Sequence, residues 1–156
     1  MAEFVLNGDA SSETDFVRGF IEAMFFTCTK DQTIEEWFTD ERVEANDGDD
    51  GLPVDSGYDD IHPDSLDEIR TYCERWQANN AALLAAAYAT GYSEDQAGRD
   101  LWFTMNGHGV GFWSREELEE GGLGDKLSDA ARYHEVDPFF GGHVDYGDAP
   151  FVHLDI

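Results

Sequence analysis

Leu101-Trp-Phe-Thr-Met-Asn-Gly-His-Gly-Val-Gly-Phe-Trp113 is the stretch on which the reading of the fold turns. Two short aromatic-rich runs, 101–105 and 110–113, flank Asn106-Gly-His-Gly. Asn-Gly tolerates the left-handed backbone of a two-residue turn, so between two such runs it predicts a β-hairpin. After it, Leu123 to Tyr133 reads as a helix with Leu123, Leu127, Ala130 and Ala131 inward. The end of the chain alternates turn residues with Phe139-Phe140 and Phe151-Val-His-Leu-Asp-Ile, which predicts one or two further strands.

Before the hairpin the pattern is helical. Ser12 to Thr29 carries Phe16, Phe20 and Met24 on one stripe, with Val17, Ile21 and Cys28 beside it, under a cap from Ser11 or Ser12. Gly19 weakens this helix by about 1 kcal/mol relative to Ala and permits close packing. Ser65 to about Thr90 reads as one long helix opened by a Ser65/Glu68 capping box. Its seam is Leu66, Ile69, Cys73, Trp76, Asn80, Leu83 and Ala87, and Gly91 stands at its C-terminal stop. Ser93 with Gln96 caps a short turn or helix. The expected fold is therefore α+β: N-terminal helices on a small antiparallel sheet, with one further helix. The Phe16/Phe20/Met24 stripe is expected to meet the Leu66/Ile69/Trp76/Leu83 stripe in one core.

With 156 residues the chain suits a single acidic domain, 1–156, and its 21 aromatic residues argue against wholesale disorder. Its 35 Asp and Glu against 9 Lys and Arg give a net charge of −26. Nine scattered cations build no basic patch, which excludes direct nucleic-acid binding, and an anionic membrane surface repels such a chain. No apolar run approaches the roughly 20 residues that cross a bilayer, and the first residues lack the pattern of a signal peptide. A cytoplasmic location is expected, with Cys28 and Cys73 as reduced, buried thiols. Their spacing leaves a disulfide between two helices open.

No catalytic constellation is present, so no enzyme, no catalytic residue and no cofactor is expected. Gly107-His-Gly-Val-Gly lacks the spacing of a phosphate-binding fingerprint. His62, His108, His134, His143 and His153 show no metal-ligand spacing, and His108 reads as a turn residue. Asp47, Asp49, Asp50 and Asp55 invite calcium, but counting from Asp47 puts Leu52 where an EF-hand needs glycine. No metal site is expected.

Asp100 to Trp113, followed by Leu123-Gly-Asp-Lys-Leu-Ser-Asp-Ala-Ala, resembles a group of small phage-encoded proteins of undefined function. These share an aromatic run, an Asn-Gly-His-Gly turn, Gly-Phe-Trp and a short Leu-Gly-x-x-Leu helix. Asp15-Phe-Val-Arg-Gly-Phe-Ile-Glu-Ala is similar to their first helix, while Glu116-Glu-Leu-Glu-Glu-Gly-Gly departs from the pattern. The resemblance implies a phage or prophage source, hence a host cytoplasm, and assigns no catalytic residue.

Charge density then points to function. Residues 31–68 hold 15 acids and one cation, Arg42, around a loop at about 40–62 whose length suits a functional or mobile segment. A short helical turn at 33–38 with Ile34, Trp37 and Phe38 inward precedes it. Even solvation in a salt-rich cytoplasm does not concentrate acids in one region, and like charges packed together destabilise a compact state. The expected function is a phage-encoded DNA mimic that blocks the nucleic-acid site of a basic host protein, such as a CRISPR effector, a restriction enzyme or a repair enzyme. Its partner-binding residues are expected to be Glu35, Glu36, Asp40, Glu41, Glu44, Asp59, Asp60, Asp64 and Asp67. The alternative is a structural or assembly protein whose acidity serves solubility, with Trp102 and Trp113 at an interface. Homodimerisation is compatible with either.

Overall fold

The computed structural model describes residues 8–27, 57–132, 136, 139–141, 151–154 and 156. These are built on helices: α1 (Asp15–Thr27), α2 (Pro63–Asn79), α3 (Ala81–Tyr88), α4 (Glu94–Met105) and α5 (Leu123–Ala131). Short 3-10 turns at Tyr58–Asp60, Phe112–Ser114, Glu116–Leu118 and Glu120–Gly122 connect them. The expected α+β fold is thus overturned: among the described residues no sheet underlies the helices. Among the described residues the extended backbone is one antiparallel pair of three-residue strands, β1 (Phe139–Gly141) and β2 (Phe151–His153). Two such strands are too short to form a packing layer.

The hairpin fails for a local reason. Residues 101–105 are the last turns of α4, where Ala97, Leu101 and Met105 fall at steps of four and are fully buried. The Asn-Gly pair ends this helix instead of turning a strand. Gly107 takes φ +69°, its N–H donates to the Thr104 carbonyl at 3.2 Å, and the His108 N–H donates to the Phe103 carbonyl at 2.9 Å. That pair of reverse bonds is a Schellman C-cap, and the His108 ring meets the edge of Phe103 at 5.9 Å as its apolar contact.

Other boundaries moved for similar reasons. Thr14 caps α1, its Oγ1 accepting from the Val17 N–H at 3.2 Å, while the Ser11 N–H is engaged by Asp9. Pro63, whose ring presets a helical φ, opens α2 two residues before Ser65, and His62 Nδ1 accepts from the Asp64 N–H at 3.1 Å. No Ser65/Glu68 box forms; Ser65 is buried and accepts from the Leu154 N–H at 3.1 Å, tying the segment after β2 to α2. The long helix breaks at Asn80, whose amide donates to the Trp76 carbonyl at 2.8 Å and draws the backbone out of helical angles. The break turns Leu84 inward and leaves Leu83 half-buried. Ser93 does cap α4, accepting from the Gln96 N–H.

One core joins the stripes. Phe16, Phe20, Met24, Ile69 and Trp76 are all buried in it, and the rings of Phe16 and Trp76 lie 6.0 Å apart. Trp76 also stacks on Phe112, with ring centres 5.6 Å apart and planes 10° from parallel, and its indole donates to the Ala130 carbonyl of α5. The closest crossing is between α1 and α4. A Cβ at Gly19 would stand 2.0 Å from the Asp95 carbonyl oxygen, and one at Gly98 would stand 2.0 Å from that of Phe16. Each helix thus presents a glycine to the other's backbone. Phe20 packs edge-on against Trp102 at 5.3 Å, and the Trp102 indole donates to Thr27 Oγ1 at 2.7 Å.

Candidate partner-binding surface

Of the nine carboxylates expected to face a partner, Glu35, Glu36, Asp40, Glu41 and Glu44 lie outside the described residues. So do Ile34, Trp37 and Phe38, the Asp47–Asp55 loop, and Cys28. Asp59, Asp60, Asp64 and Asp67 are brought together at the start of α2. The 3-10 turn Tyr58–Asp60 runs into Pro63, so the four acids occupy a turn and the first helical turns that follow it.

Asp59, Asp64 and Asp67 are exposed, and Asp60 is half-buried. Asp60 accepts from the Gly57 N–H at 2.8 Å and closes the turn. Asp64 lies at the positive end of α2, where a carboxylate is favourable, and its side chain is 90 % exposed. Asp67 meets Arg70 at 3.2 Å while remaining 74 % exposed. Asp59 is exposed and lies against Gly8, which brings the chain beside Asp9 to the same corner. Glu68, also exposed, adds a further carboxylate.

A part-buried clamp holds this corner. Glu13, only 4 % exposed, accepts from the Tyr58 hydroxyl at 2.5 Å and from the Arg70 guanidinium, whose Nε lies 3.0 Å from either carboxylate oxygen. The hydrogen bond to Arg70 outweighs burial and holds the Glu13 carboxyl below its ordinary 4.5, with Tyr58 adding to the effect. Burial and the acceptor Glu13 push the Tyr58 hydroxyl upward, and Glu13 raises Arg70 further above the range in which it ever loses its proton. The start of α1, the 3-10 turn and α2 are thereby fixed to one another.

Other arginines also meet carboxylates within the fold. Arg18 pairs with Asp15 at 2.8 Å, and Arg99 with Glu22 at 2.8 Å and Asp95 at 3.2 Å. Asp100 is fully buried and takes two hydrogen bonds from Arg115, at 2.6 and 2.9 Å, one from Gln96 at 3.1 Å and a short one from Tyr92. The hydrogen bond from Arg115 to Asp100 raises the Arg115 guanidinium, while burial is the main cause pushing the Tyr92 hydroxyl far up. Sequence reading missed Asp100. Its only signal is an acid heading an apolar run, which many surface helices also show.

Trp102 is 1 % exposed and so cannot line the interface that the alternative, structural reading gave it, whereas Trp113 is 52 % exposed. Cys73 is a buried free thiol whose pKa is raised by burial. His134 and His143 lie outside the described residues, and among those described no three of His, Cys, Asp and Glu converge on a metal-sized site. No helix among the described residues is long and apolar enough to cross a membrane. Comparison with protein-family models, curated proteins and solved structures finds no match to the chain.

Proposed function

We propose that this chain is an acidic inhibitor that occupies the nucleic-acid-binding site of a bacterial defence or DNA-processing protein in place of DNA. One observation carries the reading: a corner of exposed carboxylates, Asp59, Asp64 and Asp67, stands on a frame held by Glu13, Tyr58 and Arg70. Arginines that would otherwise offset those charges are engaged by Glu13, Glu22 and Asp100 within the fold. The dense acids of 31–68 extend the same charge along the sequence.

A DNA-binding cleft is lined with Lys and Arg spaced to meet about one phosphate per 1.7 Å of duplex axis. Carboxylates held on a folded frame meet the same cations, release their counterions and exclude DNA by occupancy and by charge. The resulting complex weakens steeply with salt, because exposed charges are screened beyond about 8 Å at physiological ionic strength. Asp60 is a poorer contact than its neighbours, since one of its oxygens closes the turn.

Affinity capture from a host lysate, at low and high salt, identifies the partner. DNA binding by that partner is then measured with and without this protein. The expected result is competition, lost when Asp59, Asp64 and Asp67 are changed together to Lys, in a variant that still melts cooperatively. A partner that binds DNA normally while saturated with this protein overturns the reading.

A further inference from the structure

The segment after α4 is built to display one large apolar side chain. Three inward anchors, Phe112, Arg115 and Leu118, recur at steps of three along it. Phe112 is fully buried against Trp76. Its N–H donates to Thr104 Oγ1 at 3.3 Å, and its carbonyl lies so close to α5 that a Cβ at Gly124 would stand 2.7 Å from it. Arg115 is held by buried Asp100, and Leu118 is 1 % exposed. Ser114 closes the turn on itself, bonding both the N–H and the carbonyl of Gly111. Val110, before the first anchor, and Trp113, after it, face solvent at 40 % and 52 % exposure, and the exposed Glu116, Glu117, Glu119 and Glu120 follow.

A single exposed apolar residue needs no explanation. Here, however, a tryptophan sits on backbone fixed at Phe112, Ser114 and Arg115, so little freedom is lost when something covers it. Tryptophan is also among the residues that most often dominate an interface. The charge around it selects the occupant. Arg115 is the cation of the segment, and its guanidinium is already taken by Asp100. A second copy of this chain would bring like-charged rims together, and nucleic acid would be repelled. A cation is attracted both by an indole face and by the carboxylates that follow it in the chain, and a planar guanidinium stacks on an indole better than an ammonium does.

We propose that residues 110–120 form a docking surface, anchored by Trp113, for an arginine-bearing segment of a basic protein. The surface is separate from the acidic corner at the start of α2. Trp76, on which Phe112 stacks, lies twelve residues beyond Asp64 on α2, about 18 Å along the helix axis at about 1.5 Å per residue. The inference therefore stands or falls apart from DNA mimicry.

The test titrates oligoarginine and oligolysine peptides of equal length into the full chain labelled with nitrogen-15. It follows the indole N–H resonance of Trp113, identified by its loss in Trp113→Phe. A protein this acidic attracts any polycation, so the arginine–lysine difference is the informative quantity. The expected result is a shift of the Trp113 resonance with oligoarginine and tighter binding of arginine than of lysine. Trp113→Ala, with an unchanged melt, should weaken arginine binding roughly three- to tenfold and remove the preference. Changing Glu116, Glu117, Glu119 and Glu120 together to Gln should weaken both peptides. The Asp59/Asp64/Asp67→Lys variant should keep the Trp113 response, whatever becomes of its competition with DNA. An arginine preference that survives Trp113→Ala, or a Trp113 response lost with the α2 charges, overturns the proposal.

Discussion

Arg99 and Asp100 are neighbours on α4, and each fastens a different flank of the molecule through an ion pair. On the first flank, Arg99 reaches Glu22 of α1 at 2.8 Å with both side chains partly in water. The helices there already touch through Gly19 and Gly98, so backbone packing holds them and the charges follow. On the second flank, Asp100 is fully buried and receives Arg115, Tyr92 and Gln96. That pair pins the wrap of residues 107–118, whose regular backbone is limited to the single 3-10 turns Phe112–Ser114 and Glu116–Leu118. Similar chemistry therefore contributes differently: incidental where glycines bring helices together, essential where a loop must be held in low dielectric.

The largest expected effect breaks the first flank. Gly→Ala inside an exposed helix normally stabilises by about 1 kcal/mol. Gly19→Ala combined with Gly98→Ala should abolish the cooperative melt, since both new methyls meet backbone carbonyls that cannot yield. A double variant that melts normally would show that α1 and α4 do not cross there.

Next is the second flank. Asp100→Ala leaves the Arg115 guanidinium without its carboxylate and should cost about 3 kcal/mol, the low end for a broken buried pair because Arg115 keeps 27 % exposure. Urea denaturation measures this directly, and a cost below about 1 kcal/mol would place the pair with the incidental ones.

The Glu13 clamp lies between the two extremes, as a buried carboxylate facing a partly exposed arginine. Its folded pKa is depressed below the ordinary 4.5. Its contribution is therefore complete above that value and fades as pH falls through the lower folded value. Glu13→Gln should cost about 1–2 kcal/mol at neutral pH and shrink toward zero in acid. Equal losses at both ends of the pH series would remove charge from the explanation.

The smallest effect is expected at Arg99→Ala, below about 1 kcal/mol and further reduced by salt, because its partners are partly hydrated. A loss as large as that of Asp100→Ala, by the same urea measurement, would erase the contrast between the flanks.

Much of the helical layout was legible in the residues. Phe16, Phe20 and Met24 repeat at helical spacing and are buried; Ile69 and Trp76 do the same on α2; Leu127 and Ala131 face inward on α5. The candidate surface was legible as charge, and Asp59, Asp64 and Asp67 are exposed where acids were expected to face outward. The clamp beneath them was not, because Glu13 and Arg70 stand 57 positions apart and nothing local links them.

What the sequence alone determined was the net charge and the faces of α1 and α2. Those follow from composition and from periodicity along a single element, which local sterics and hydrophobicity set. Tertiary structure decided the rest. Leu101-Trp-Phe-Thr-Met fits a strand by propensity and a helix by the spacing of Ala97, Leu101 and Met105, and Asn106-Gly107 serves a hairpin turn or a helix cap equally well. Packing against α1 resolved both, through a glycine at Gly98 that only a crossing helix gives meaning. The same packing sent Trp102 into the core and left Trp113 in water. A short apolar run carries two periodicities at once, and only the surface it lands on selects between them.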